Sequence, residues 1–187
     1  MLYAQSTRIL EGQKVYLRPI SVEDTEVYLN TLFHPVTRRL TGTQAIFTRE
    51  QIHDYLERKA KDTTTGILLL IVVIETEEVV GDIALQSIDH LNQNANIRIS
   101  IVNEKHRGKG YGTEAIQLLL EHAFGVLNLH RIELNVFSYN ENAYRVYEKI
   151  GFKKEGIQKD ALYYDHAYHD SILMAILENE YRKIYKK

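Results

Sequence analysis

The sequence predicts an α/β (α+β) domain built on a mixed sheet, and three patterns carry that expectation. An alternating apolar run, Ile97 to Val102, feeds a glycine-rich turn that opens an apolar-periodic run, Thr113 to Phe124, as a strand handing over to a helix does. Two β-branched runs, Ile67 to Glu75 and Val79 to Ile88, flank the short polar Thr76-Glu77-Glu78 and read as a hairpin. Ala143, Val146, Tyr147 and Ile150 recur at i, i+3, i+4 and i+7, which gives another helix one apolar face. At 187 residues the chain is about one domain's worth, and residues 1–187 are expected to form that single domain.

The remaining elements follow in order. Lys14 to Pro19 reads as a first strand, with Val15 and Leu17 alternating against Tyr16 and Arg18. Val22 to Phe33 reads as a helix with Ser21 near its start, and Thr48 with Gln51 has capping-box spacing for a helix reaching about Lys61. After the Ile97 strand, Ala115, Ile116, Leu119, Leu120, Ala123 and Phe124 form a buried helical stripe. Arg131 to Phe137 is the next strand. Asn140 can cap the following helix and Gly151 sits where a left-handed C-terminal residue is wanted. Phe152 to Gln158 and about Asp170 to Leu177 read as a last strand pair, and Glu178 to Lys187 as a polar helical tail.

Composition narrows the function. There are no cysteines, which excludes disulfides, thiolate nucleophiles and cysteine-held metal. The net charge is −2 and the isoelectric point about 6.4, so no basic face for nucleic acid is expected. The longest apolar run, Ile67 to Ile74, is far shorter than the ~20 residues of a membrane helix. Met1 to Leu10 lacks the apolar core of a secretory signal. A cytoplasmic enzyme without membrane or nucleic-acid partners is the simplest expectation.

The chemistry concentrates in Arg107-Gly108-Lys109-Gly110-Tyr111-Gly112. Glycines admit positive φ and close approach of a ligand, and the first amides of a helix are unpaired and sit at the positive end of its dipole. Together these form a socket for a phosphate or diphosphate. A nucleotide-hydrolysing loop needs Ser or Thr after the Gly-Lys pair, but Lys109 is followed by Gly110. A dinucleotide fingerprint needs a third glycine where Thr113 stands. The spacing R-x-x-G-x-G, through Arg107, Gly110 and Gly112, resembles the coenzyme A pyrophosphate loop of the GNAT superfamily of acyl-CoA N-acyltransferases. The stretch Asn140 to Phe152, with its Asn, its helical Tyr and its Lys-Ile-Gly-Phe ending, resembles a second signature of that family.

The resemblance implies a mixed sheet of about six to seven strands, helices on both faces, and a fourth strand that splays from the fifth. It implies acetyl-CoA as co-substrate, with pyrophosphate held by the amides of Arg107, Gly108, Lys109, Gly110, Tyr111, Gly112 and Thr113. Main-chain groups of Ser100, Ile101 and Val102 would meet the pantetheine arm, and Asn140 and Asn142 would lie near the coenzyme. From periodicity alone Tyr147 is a core tyrosine. The resemblance makes it the general acid that protonates the leaving thiolate, with Tyr144 the fallback. The polar aromatic stretch Tyr163 to Asp170 reads as a connecting turn with solvated side chains; the resemblance also puts it close to the acceptor site, which Tyr168 and Asp170 would line. No matched ligand set points to metal.

The general base cannot be carried over. Many relatives place a Glu near positions 96 or 97, where this chain has Asn96 and Ile97, and no carboxylate occurs from Leu91 to Val102. Asp82, Asp89 and His90 are unranked candidates. The expected reaction is acetyl transfer to a primary amine: a protein N-terminus, a polyamine or an amino sugar. Leu17-Arg18-Pro19-Ile20 resembles the ribosomal-protein N-terminal acetyltransferases, and the run from Asn94 onward also resembles spermidine acetyltransferases. A non-catalytic acyl-CoA-binding module is the alternative. Homodimers are common in the family, and no sequence patch marks one here.

Overall fold

The computed structural model describes residues 7–62 and 64–186. Met1 to Ser6, at the start of the segment read as signal-free, Thr63, and Lys187 at the end of the helical tail lie outside the described residues. In chain order the elements are β1 (Leu10–Glu11), β2 (Val15–Pro19), α1 (Thr25–Phe33), α2 (Pro35–Thr41), α3 (Arg49–Lys61), β3 (Gly66–Val73), β4 (Val79–Asp89) and β5 (Asn94–Ile101). Then follow α4 (Tyr111–Gly125), β6 (Arg131–Phe137), α5 (Glu141–Ile150), β7 (Lys153–Tyr164), β8 (Ala167–Leu177) and α6 (Glu178–Tyr185).

One sheet of eight strands runs in the order β1-β2-β3-β4-β5-β6-β8-β7. Every pairing is antiparallel except β5 with β6, so the sheet is mixed as expected. The strand beyond seven is β1, a two-residue edge that registers Leu10 against Leu17. It is too short to leave a periodic trace in sequence.

Alternation along β3 builds two cores. Leu69 and Ile71 point toward the large cluster filled by Ala115, Ile116, Leu119 and Leu120 of α4, while Leu68 and Leu70 point toward Tyr28 of α1 and Ile52 and Leu56 of α3. Helices therefore cover both faces. The first face takes α4, α5 and α6; the second takes α1 and α3.

Two departures from the sequence reading shape the site. The helix α2 was not expected, yet Pro35 opens its first turn and Gly42, at φ +66°, ends it. The stretch Tyr163 to Asp170, expected as a connecting turn, is mostly strand. Only Asp165 and His166, both at positive φ, form the turn, and Tyr163 pairs directly with Tyr168.

Candidate active site

The sheet opens between β5 and β6. Their parallel pairing covers Asn94 with Arg131, Ala95 with Ile132 and Asn96 with Glu133, and then stops. Beyond Asn96, β5 stays with β4 as far as Ile101, and β6 stays with β8 as far as Phe137. The expected splay is present, between the fifth and sixth strands once β1 is counted. Val102 donates its amide to the Val80 carbonyl at 3.0 Å. By antiparallel alternation Ser100 also turns its main-chain groups toward β4, while Ile99 and Ile101 turn theirs into the opening. A Cβ on Gly81 would lie 2.0 Å from the Ser100 carbonyl oxygen, which marks how closely the two strands meet there. Of Ser100, Ile101 and Val102, only Ile101 faces the opening, and Ile99 joins it. The guanidinium of Arg107 donates to the Ile101 carbonyl at 3.0 and 3.3 Å, and the Ile101 amide, turned into the opening by the same alternation, has no acceptor among the described residues.

The glycine loop closes the top of this opening. The Asn103 side chain accepts from the Lys105 amide, a 3-10 turn follows over Glu104 to His106, and the Arg107 amide bonds the Glu104 carbonyl at 3.0 Å. Arg107 therefore contributes a side chain to the strand end and no amide to the socket. Gly108 and Gly110 take φ of +72° and +88°, and Gly110 caps α4. Among the described residues, the amides of Gly108, Lys109, Gly110, Tyr111, Gly112 and Thr113 have no hydrogen-bond acceptor; the first occupied amide is that of Glu114. A Cβ at Gly108 would meet nothing within 4 Å, so the loop presents bare backbone to an incoming group. Unpaired amides at a helix start fit a diphosphate.

Two residues hold this loop in place that sequence reasoning missed. Glu114, in the first turn of α4, accepts the amides of Gln13, Lys14 and Val15 at 2.8 to 2.9 Å. Lys14 returns its ammonium to the Lys109 carbonyl at 3.0 Å and adds a cation beside Gly110. Both partners come from a segment about a hundred residues away, so no local spacing signals them.

Across the opening, α5 follows β6 as expected. Asn140 caps it by accepting the Ala143 amide at 3.3 Å, and Gly151, at φ +118°, ends it. Tyr147 is half-buried, packs edge-on against Phe152 with ring centres 6.0 Å apart, and has no hydrogen-bond partner among the described residues. Burial pushes its phenol up to about 12. Tyr144, the fallback, donates instead to Glu148 at 2.9 Å. Asn142 is exposed on the first turn, and its side chain makes no hydrogen bond among the described residues.

The unranked base candidates all have structural partners. Asp82 is buried and bonded to the Arg98 guanidinium. Asp89 caps the β4–β5 turn through the amides of Leu91 and Asn92 at 2.9 Å. His90 contacts the Thr64 carbonyl at 3.0 Å. The structure offers another carboxylate. Glu133 lies directly across from Asn96 on the last paired rung, at the fork of the opening, and is held by Arg131 at 3.1 Å. Glu133 was invisible in sequence because its closeness to Asn96 is a matter of cross-strand register.

The long β7–β8 hairpin places Tyr168 and Asp170. Tyr168 is 65% exposed and packs on Tyr163, ring centres 5.1 Å apart. Asp170 accepts the Asp160 amide at 3.0 Å and so secures the bulge in β7. The Tyr163 carbonyl accepts from Gln44 at 2.6 Å, and Tyr139 bonds the Arg39 carbonyl, which ties α2 and its following loop to this side.

Comparison with known proteins gives a consistent result. Residues 14–153 match the family model described as an acetyltransferase (GNAT) domain. A probable N-acetyltransferase, YjcK, of Bacillus subtilis (strain 168) is 33% identical over 178 residues, covering 90% of this chain and 97% of that protein. The spermidine N(1)-acetyltransferase of Escherichia coli (strain K12) is 31% identical over 138 residues, covering 73% of this chain and 67% of that one. The crystal structure of spermidine N-acetyltransferase from Vibrio cholerae, in complex with CoA and spermine, superposes with a TM-score of 0.84 at 23% identity, over 91% of this chain and 99% of that chain.

Proposed function

The chain belongs to the GNAT acetyltransferase family and is an acetyl-CoA-dependent N-acetyltransferase; on that premise we propose how its own residues divide the work. The single observation that carries the reading is the row of unpaired amides from Gly108 to Thr113 beside an opening in the sheet. They hold the coenzyme pyrophosphate, with Lys14 adding charge. The main-chain groups of Ile99 and Ile101 that face the opening receive the pantetheine arm, and the free Ile101 amide faces the thioester oxygen as an oxyanion donor.

The amine attacks the acetyl carbonyl within a ternary complex. A C–N bond forms, the C–S bond breaks, the nitrogen loses one proton and the sulfur gains one. Tyr147 supplies the sulfur's proton and Glu133, through water, receives the nitrogen's. The raised phenol keeps Tyr147 protonated throughout the neutral range. A thiol's ordinary pKa is near ~8.5, so its proton transfer is uphill unless coupled to collapse of the tetrahedral intermediate. Asn140 shapes the coenzyme side through its cap, and Tyr168 and Asp170 border the acceptor side.

The acceptor is a primary amine, and the alkylamine of polyamines and the α-amine of a protein N-terminus are the two classes to separate. Thiol release from acetyl-CoA across a panel of spermidine, amino sugars and N-terminal peptides tests the reading. Tight coenzyme binding without thiol release on any amine would make the protein an acyl-CoA binder instead.

A further inference from the structure

On the sheet face away from α4 lies a cavity of about 490 Å³ between α1, α3 and β5. Its walls are apolar and aromatic: Tyr28 and Tyr55 stack with ring centres 5.9 Å apart, and Phe47 closes one side. Its floor is Arg98, two residues past Asn96, on the stretch of β5 that has already left β6.

The charges of the lining decide what fits. Arg98 is fixed by the buried Asp82 carboxylate and by the Tyr28 hydroxyl at 3.3 Å, so that pair is internally neutral. Arg58, on α3 at the rim, also lines the cavity, and its side chain makes no ion pair or hydrogen bond among the described residues; the nearby Glu57 is taken by Lys61. Asp54, one turn earlier, is the only carboxylate among the lining residues, and it lies 3.6 Å from His53. A polyamine brings several ammonium groups, each needing a counter-charge as water is removed. With the Arg98–Asp82 pair neutral, the lining answers with one exposed carboxylate, too few for a polyamine, and one unpaired guanidinium, Arg58, which suits a carboxylate.

Resting on the acetyl-transfer reading, we propose that this cavity receives the body of the acceptor and that the acceptor is an α-amino compound carrying a carboxylate, not a polyamine. The amine points to the opening, where Glu133 stands at the fork. The body packs against the paired tyrosines, and the carboxylate meets Arg58. This separates the chain in chemistry from relatives whose names specify spermidine.

The test uses the full chain saturated with coenzyme A and four probes: the tripeptide amides Ala-Glu-Ala and Ala-Lys-Ala, free phenylalanine, and spermidine. Equilibrium binding is measured for each, and thiol release from acetyl-CoA separately. Ala-Glu-Ala should bind about tenfold tighter than Ala-Lys-Ala, the scale of one gained and one opposed surface charge contact, with spermidine weakest. Free phenylalanine binding as well as Ala-Glu-Ala would identify the α-carboxylate as the group read. Arg58→Glu, on an exposed helical surface, should reverse the peptide order, and added salt should shrink the difference. Tighter binding of spermidine or Ala-Lys-Ala by the wild type, or an unchanged peptide order in Arg58→Glu, overturns the proposal. Absence of thiol release on every probe, with the binding preference intact, would instead overturn the acetyl-transfer assignment of the site.

Discussion

In the proposed mechanism Tyr147 and Glu133 divide the proton traffic, and the two were unequally visible. Tyr147 stands on a helix whose cap at Asn140 and stop at Gly151 are both local signals, so its place could be read from residue spacing. Its partner is set by the strand register that brings β6 beside β5, which no single segment encodes. Tyr147→Phe should lower turnover by about a hundredfold or more while leaving coenzyme affinity unchanged, because only the proton donor is lost. Equal turnover in steady-state assays would remove the acid assignment. Glu133→Gln should lower kcat while leaving coenzyme affinity and the urea midpoint unchanged. A fall in the urea midpoint without a fall in kcat would point to a merely structural part in the pair with Arg131. At Gly151 a methyl group would be both strained, at φ +118°, and crowded, 2.6 Å from Ile184 Cδ1. Gly151→Ala should therefore cost about 1–3 kcal/mol in urea denaturation.

At the scale of elements, α4 is the working part and its N-terminus is braced from outside. Its apolar stripe and glycine start were legible from period and composition, whereas the brace was not. Glu114 satisfies three amides of the β1–β2 connection, and removing it leaves those donors without a protein acceptor. Glu114→Ala should destabilise the fold by about 1–3 kcal/mol and weaken coenzyme binding, since the loop then loses its anchor. Stability that drops while coenzyme affinity holds would separate the brace from the socket. Gly110→Val places a β-branched residue at φ +88° and should weaken coenzyme binding directly, measurable by titration. The helix α2 escaped sequence reading because seven residues carry too few apolar positions to show a period, although its proline and glycine punctuation was present. The β7–β8 hairpin escaped for another reason. Its exposed polar aromatics resemble a loop in composition and are strand through cross-strand pairing.

Across the whole molecule, the buried phenols set an alkaline limit. Burial raises Tyr28 and Tyr181 as well as Tyr147, and Glu121 further holds the proton on Tyr181. An unfolded phenol loses its proton near ~10, earlier than these native ones. Between the two values the unfolded chain binds fewer protons, so raising pH favours unfolding. The urea midpoint should hold below about pH 10 and fall steadily toward pH 12. A flat profile across that range would show the phenols ionising freely in the native protein. The molecule is also mechanically divided. Five strands lie on one side of the fork and three on the other, and among the described residues β5 and β6 pair over three rungs, with Gln93 accepting the amides of His130 and Arg131 just before them. Any ligand lodged in the gap touches both halves and acts as a splint. Deuterium uptake at the tip of β5 should slow on adding coenzyme A, even for residues that never contact it. Departure of the spent carrier would remove that splint, so the stiffness of the scaffold should alternate between the loaded and the empty protein.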